Sequence, residues 1–153
     1  MKKIIIGSDH AGFALKEKLK VYLVHKGFRV EDFGAYSLER CDYPVIAYNL
    51  AREISLGRCQ QGILICKSGI GNSIVANRLS GVRAALVYNI KAARLSRLHN
   101  DSNILVLGSA FVHEPQAKRI ASVWLNTPFE GGRHRRRLNQ IIKIERDIRR
   151  DKV

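Results

Sequence analysis

Short apolar runs bounded by turn residues alternate along this chain with longer stretches of helical periodicity. KKIIIGSD precedes AGFALKEKLKVYLVHKG, RVEDFG precedes PVIAYNLAREISLG, GILIC precedes NSIVANRLS, VRAALVY precedes KAARLSRLH, and NILVLGS precedes EPQAKRIASVWLNT. The short runs, rich in Ile, Val and Leu, read as strands, and the stretches between them place their apolar residues on one helical face. Five β-α units in succession predict an α/β fold, a three-layer α/β/α sandwich whose five-stranded parallel sheet is covered on both faces, as in Rossmann-like domains. The closing segment RRRLNQIIKIERDIRRDK sets Leu138, Ile141, Ile142 and Ile148 at helical spacing. It predicts an extra helix with one apolar stripe, a surface suited to packing on a neighbouring subunit. No repeat, low-complexity tract or flexible linker divides the chain, so residues 1–153 read as one domain with 133–153 as a basic helix at its end.

In open parallel sheets, ligands bind beyond the carboxyl ends of the strands, where the strand order reverses. An order of 2-1-3-4-5 places that reversal between the first and third strands. Ser8-Asp9-His10 and Cys66-Lys67-Ser68 then meet at one crevice.

Charge narrows the ligand class. The chain has 27 Lys plus Arg against 13 Asp plus Glu, net +14, with nine basic and three acidic residues from Arg133 onward. Such an excess favours an anionic ligand, a phosphate or a nucleic acid. No apolar run approaches the roughly 18 residues of a membrane span, and MKKIIIGSDH enters a strand pattern at once, so the expectation is a cytoplasmic protein with no membrane partner. Cys41, Cys59 and Cys66 form no C-x-x-C pair and have no His at metal spacing, which points to free thiols and no metal.

The stretch GILICKSGIGNS carries the sharpest chemistry. Gly69 and Gly71 let backbone N–H groups converge on an anion at the start of a helix, although a glycine pair also serves as a plain tight turn. Cys66 sits where the positive end of a helix favours thiolate over thiol. A phosphate-binding Walker loop needs its glycines before Lys-Ser, and here they follow Lys67-Ser68. A cysteine phosphatase needs an arginine six positions after the thiol, and that position is Asn72. A thiolate base beside N–H donors remains, suited to removing a proton next to a carbonyl and holding the resulting oxyanion. Asp9 taken alone reads as a helix cap with His10 as a bystander, and placed beside Cys66 the pair gains weight as a handler of hydroxyl protons. His99 and Asn100 close a helix before the fifth strand, where the helix dipole favours an imidazole. Arg133 and Arg137, four apart after Gly131-Gly132, share a helical face and can grip one phosphate, while Arg135 and Arg136 read as a solvated face. His25 and His113 carry no partner pattern.

These separated motifs, IIIGSDHAGFALK, CDYPVIA, GILICKSGIGNSIVANRLSGVRAALV, LSRLHNDSNILVLGS and EGGRHRRRL, together resemble the ribose-5-phosphate isomerase type B family, which includes allose-6-phosphate and galactose-6-phosphate isomerases. The resemblance runs to about Glu145. It implies an aldose-ketose isomerase that passes through an enediolate, needs no cofactor or metal, and works as a homodimer or homotetramer with a shared active site. Carried over by residue, it makes Cys66 the base between C1 and C2, assisted at the hydroxyls by Ser68, where many relatives have threonine. The backbone of Lys67, Gly69, Ile70 and Gly71 would hold the enediolate oxygen. His99, from the partner subunit, would open the furanose ring with Asp9. Tyr43 would line the sugar site, Asn100 would bind substrate, and His10, Arg133 and Arg137 would hold the phosphate. Relatives that use a glutamate base place it where this chain has Val75. Lys67 departs from the glycine that relatives usually carry after the cysteine. A six-carbon sugar phosphate is the alternative substrate. A basic relative that binds nucleic acid without catalysis is the alternative function, and the absence of interleaved aromatics in the tail argues against it.

Overall fold

The structure, a computed structural model, describes residues 1–151. The elements in order are β1 (Lys3–Ser8), α1 (Phe13–His25), β2 (Arg29–Asp32), α2 (Tyr43–Ser55), β3 (Gly62–Cys66), α3 (Ile70–Ala76), β4 (Ala84–Leu86), α4 (Ile90–Leu98), β5 (Ile104–Gly108), α5 (Glu114–Asn126) and α6 (Arg133–Arg150). All five strands are parallel, and the three-layer sandwich is the one the alternating pattern predicts.

Period-two alternation along the strands sorts the core into two halves. Ile4 and Ile6, Ile63 and Ile65, and Leu105 and Leu107 face α1, α4 and α5, where they enclose Leu19, Leu23, Ala93, Ile120 and Trp124. Ile5, Leu64, Ile104 and Val106 point the other way, onto Ala47, Leu50, Ala51 and Ile54 of α2 and Ala76 of α3. Side chains of this size each contribute roughly 1.5–3 kcal/mol when fully buried, so the three central strands and the helix faces packed on them share the core's hydrophobic gain.

The strand order is β2-β1-β3-β5-β4, which corrects the 2-1-3-4-5 order at its last two places. Burial explains the exchange. All five residues of β5, Ile-Leu-Val-Leu-Gly, are buried and demand cover on both faces, whereas β4 is only Ala-Ala-Leu and half-buried. A short strand belongs at an edge. That edge is closed by Asn77, whose amide donates to Ala84 O (2.9 Å) and accepts from Ala84 N–H (2.8 Å), in the manner of a neighbouring strand. The same requirement ends α3 at Ala76, well short of the Ser80 the sequence pattern reaches. The reversal between β1 and β3 is untouched by the exchange.

The C-terminal helix is less firmly attached. His134 and Leu138 are buried, and the Glu145 carboxylate accepts from Ser80 Oγ and Gly81 N–H at 3.2–3.3 Å. Ile141, Ile142, Ile144 and Ile148 remain 38–56% exposed. Of the 133–153 tail, Lys152 and Val153 lie outside the described residues.

Candidate active site

The carboxyl ends of β1 and β3 are hydrogen-bonded neighbours, with Ser8 level with Ile65, so the residues following each strand share one rim. Asp9 N–H donates to Ile65 O (3.3 Å), and its carboxylate accepts from Gly12 N–H (3.0 Å). Asp9 therefore caps the turn before α1 while standing 7% exposed beside the end of β3. Gly12 is required there, because a Cβ would overlap the carbonyl of Ile65.

Cys66 is the last residue of β3 and is buried. Gly69 N–H donates to its Sγ at 3.1 Å, an arrangement that favours a negative sulfur. The donor is presented because Gly69 adopts φ 83°, the left-handed turn that opens α3. The loop is held on its other side by Ser109 N–H to Cys66 O and Ala110 N–H to Lys67 O, both 2.9 Å, and by the Tyr88 hydroxyl donating to Ser68 O at 3.0 Å. Ser68 Oγ accepts from Ile70 N–H (3.2 Å), which leaves its proton available at the rim. A Cβ on Gly71 would overlap the Tyr43 ring, so Tyr43 lies directly over the second glycine. Lys67 is exposed, and Asp101 is the only described non-glycine residue with positive φ. The lysine thus sits after Cys66 without left-handed strain, its side chain exposed.

His10 Nδ1 lies 3.1 Å from Cys41 O and 3.3 Å from Cys41 N, so the Cys41 backbone holds the ring in place, accepting from Nδ1 or donating to it according to the tautomer. Beneath the same rim, Asp32 accepts from Lys16, Lys20 and Gly34 N–H, and Gly34 O accepts from Ser8 N–H. Burial opposes the charged form of Asp32, but the hydrogen bonds from Lys16 and Lys20 outweigh it and hold the carboxyl below its usual range.

The remaining expected residues lie elsewhere. His99 is the C-cap of α4, which runs from the carboxyl edge of the sheet back to its amino edge. Five strand residues at roughly 3.3 Å each put about 16 Å between the two edges. Asn100 follows His99, and its carbonyl accepts from Arg83. Glu130 N–H donates to Leu98 O (3.0 Å), which brings the start of α6 to the same place. There the His134 ring stacks on His99, centroids 4.2 Å apart, and Arg133 and Arg137 project from the first turns of α6 with no ion-pair partner among the described residues. Burial, together with the neighbouring His99 and Arg133, pushes the His134 imidazole below its ordinary range, with Glu130 acting against them. Within one chain, then, Asp9, His10, Tyr43, Cys66, Ser68, Gly69, Ile70 and Gly71 form one cluster, and His99, Asn100, Arg133 and Arg137 form another.

Sequence reasoning passed over several groups at these clusters. Tyr88 and Ser109 sit just past the ends of β4 and β5, the position in each β-α unit that had singled out Asp9 and Cys66. Asn72, 1% exposed with an unpartnered Nδ2, lies under the glycine loop. Glu130 and His134 flank the Arg133 motif, and no spacing rule marks them.

The Ribose/Galactose Isomerase family model matches residues 4–141. Ribose-5-phosphate isomerase B of Escherichia coli (strain K12) is 46% identical over 145 residues, covering 95% of this chain and 97% of that protein. Among solved structures, ribose-5-phosphate isomerase B of Clostridium thermocellum is 44% identical with a TM-score of 0.93, covering 95% of this chain and 99% of that one. The Mycoplasma genitalium ribose-5-phosphate isomerase B with bound ribulose-5-phosphate is 40% identical with a TM-score of 0.91, covering 94% and 96%.

Proposed function

The chain belongs to the ribose/galactose isomerase family, and from that premise we infer that it interconverts ribose 5-phosphate and ribulose 5-phosphate through an enediolate. The observation that carries this reading is Cys66: a buried thiol at the strand-order reversal, receiving the Gly69 N–H on its sulfur. In the aldose-to-ketose direction the thiolate takes the C2 proton, electrons shift so that the C1 carbonyl becomes an enediolate oxygen, and the proton returns at C1 as the C2 hydroxyl passes its own proton to O1 and becomes the carbonyl. Ser68, whose Oγ accepts from Ile70 N–H, is placed to donate to a sugar hydroxyl. The backbone from Lys67 to Gly71 stabilises the oxyanion, and one such donor is worth about 3 kcal/mol in a transition state. Tyr43, lying over Gly71, forms a wall of the sugar site.

Ring opening comes first, and in this reading Asp9 and His99 perform it. Their separation across the sheet is the reason for proposing a homodimer in which one copy's amino edge meets its partner's carboxyl edge. Asn100 then reaches substrate in the partner's site, and Arg133 and Arg137 join the partner's His10 around the phosphate. The exposed isoleucines of α6 supply an apolar surface for that contact, so the chain acts as one domain whose C-terminal helix, Arg133–Arg150, faces the partner. Among the described residues no helix is long and apolar enough to cross a membrane, and a cytoplasmic enzyme of pentose phosphate metabolism is the setting we propose.

The test is NMR of the purified protein with ribose 5-phosphate in D2O. Ribulose 5-phosphate carrying solvent deuterium at C1 is the expected product. Turnover of allose 6-phosphate or galactose 6-phosphate, without turnover of the pentose, would move the substrate to six carbons. Product with no deuterium would exclude an exchanging protein base.

A further inference from the structure

Three metal-binding groups converge at the amino edge. His99 Nε2 lies 3.8 Å from Glu130 Oε2, and His134 Nε2 lies 3.7 Å from the same oxygen. One donor atom from each of the three residues falls within 4.8 Å of the others. His134 is 4% exposed, and its Nε2 has no hydrogen-bond partner. A buried polar atom left in that state costs on the order of 1–3 kcal/mol, a cost that calls for a ligand to explain it. Glu130 has no Lys or Arg partner among the described residues, so its charge faces only the two imidazoles. Backbone contacts fix the frame, with Glu130 N–H on Leu98 O and His134 N–H on Gly131 O, both 3.0 Å.

We propose that His99, Glu130 and His134 form an inhibitory site for a zinc-type divalent ion, which removes His99 from ring opening when bound. Two imidazoles and one carboxylate suit Zn2+, whereas Mg2+ and Ca2+ prefer oxygen donors throughout. Ligand bonds of about 2.1 Å in a tetrahedral site put donor atoms about 3.4 Å apart, so the two Nε2–Oε2 pairs need to close by only a few tenths of an ångström. The rings lie 11° from parallel and have to splay to share an ion. His99, half-exposed, is the ring free to turn, while the buried His134 stays in place. A fourth position remains for water. The effect on turnover rests on the proposed role of His99, but the binding itself does not.

Metal-stripped full-length protein is titrated with Co2+, read by its visible ligand-field bands, and with Zn2+ against a chromogenic chelator. One ion per chain with tetrahedral Co2+ bands is expected. Glu130→Gln, at an exposed position, and His134→Gln should each weaken binding by at least about tenfold, the scale on which metal-site substitutions act. Because Glu130→Gln removes no buried group, its retained thermal melt keeps the test readable even if His134→Gln fails to fold. Zn2+ should inhibit wild-type turnover and inhibit Glu130→Gln only at correspondingly higher concentration, each relative to its own metal-free rate. Unchanged binding in Glu130→Gln, binding lost only in Cys66→Ala, or equal affinity for Mg2+ would overturn the proposal. Zinc binding with the expected ligand dependence in a protein that does not isomerise ribose 5-phosphate would leave this site standing and overturn the substrate reading instead.

Discussion

At the carboxyl edge of the sheet, Cys66 and Ser68 hang from a loop fixed by the backbone of Gly69 and Ile70 on one side and by Ser109, Ala110 and Tyr88 on the other. At the amino edge, His99 and Asn100 end a helix, and Arg133 and Arg137 stand on another that reaches the body through His134, Leu138 and Glu145. The first edge is built into the core and can hold reacting atoms to within a fraction of an ångström. The second is a surface whose apolar neighbours Ile141, Ile142 and Ile148 are left open. In the proposed reaction the fixed edge carries the proton transfer, and the surface edge adds charged groups to Asp9 for ring opening and to His10 for phosphate binding. In the proposed homodimer each copy lends its surface to the other's rim.

The largest effect that would test this contrast is at the thiol. Cys66→Ala should fold normally and lose roughly 10³-fold in kcat, the scale of a missing general base. Retention of most activity, measured on protein with an unchanged thermal melt, would remove the rigid edge from the chemistry. His99→Asn should also be severely impaired, and refolding an equal mixture of the two variants tests the sharing directly. A twofold-symmetric dimer then restores one intact site in each mixed pair, about a quarter of wild-type activity. No recovery, from a mixture shown by mass spectrometry to contain mixed dimers, would place both residues in the same subunit's site.

Stability offers the next contrast. Asp32→Asn leaves the fully buried Lys16 with only the more exposed Glu17 as its carboxylate partner and should cost about 2 kcal/mol, read from a urea midpoint at neutral pH. In the wild type the folded-state pKa of Asp32 is depressed below its usual value of 3.8, so the unfolded chain binds the proton more readily. The contribution is therefore present above that value and is lost as pH falls through the depressed folded pKa. A melting temperature that ignores acidification in this range equally in wild type and Asp32→Asn would contradict the assignment.

Smaller effects should follow at the amino edge. Arg137→Ala should raise KM by about tenfold while kcat changes less, because a remote phosphate grip binds ground and transition states alike. An equal fall in kcat and kcat/KM would mean that the arginine acts only in the transition state. Lys67→Gly should be the mildest of these changes, within about 0.5 kcal/mol in stability and about twofold in kcat, since the side chain is exposed and its backbone carries no left-handed strain.

Much of this was legible in the chain. The β-α alternation fixes a parallel three-layer sandwich because each strand's side chains must be covered on both faces. The motif after the third apolar run marks a thiol beside glycine-presented N–H groups because only glycine takes the φ of 83° found at Gly69. The helical stripe from Leu138 onward predicts a terminal helix with one apolar face, and α6 presents Leu138, Ile141, Ile142 and Ile148 on it.

Tertiary structure decided what depends on comparing distant segments. Which of the last two strands lies at the edge follows from how much apolar surface each must bury, and Asn77, in the helical segment before the fourth strand, closes the edge that results. The stacking of His134 on His99 joins residues whose chain separation carries no period. The division of the site residues between two edges of one sheet arises because a crossover helix returns the chain to the opposite end from its preceding strand. Local periodicity encodes each element's faces, but only the assembled layers determine which ends meet.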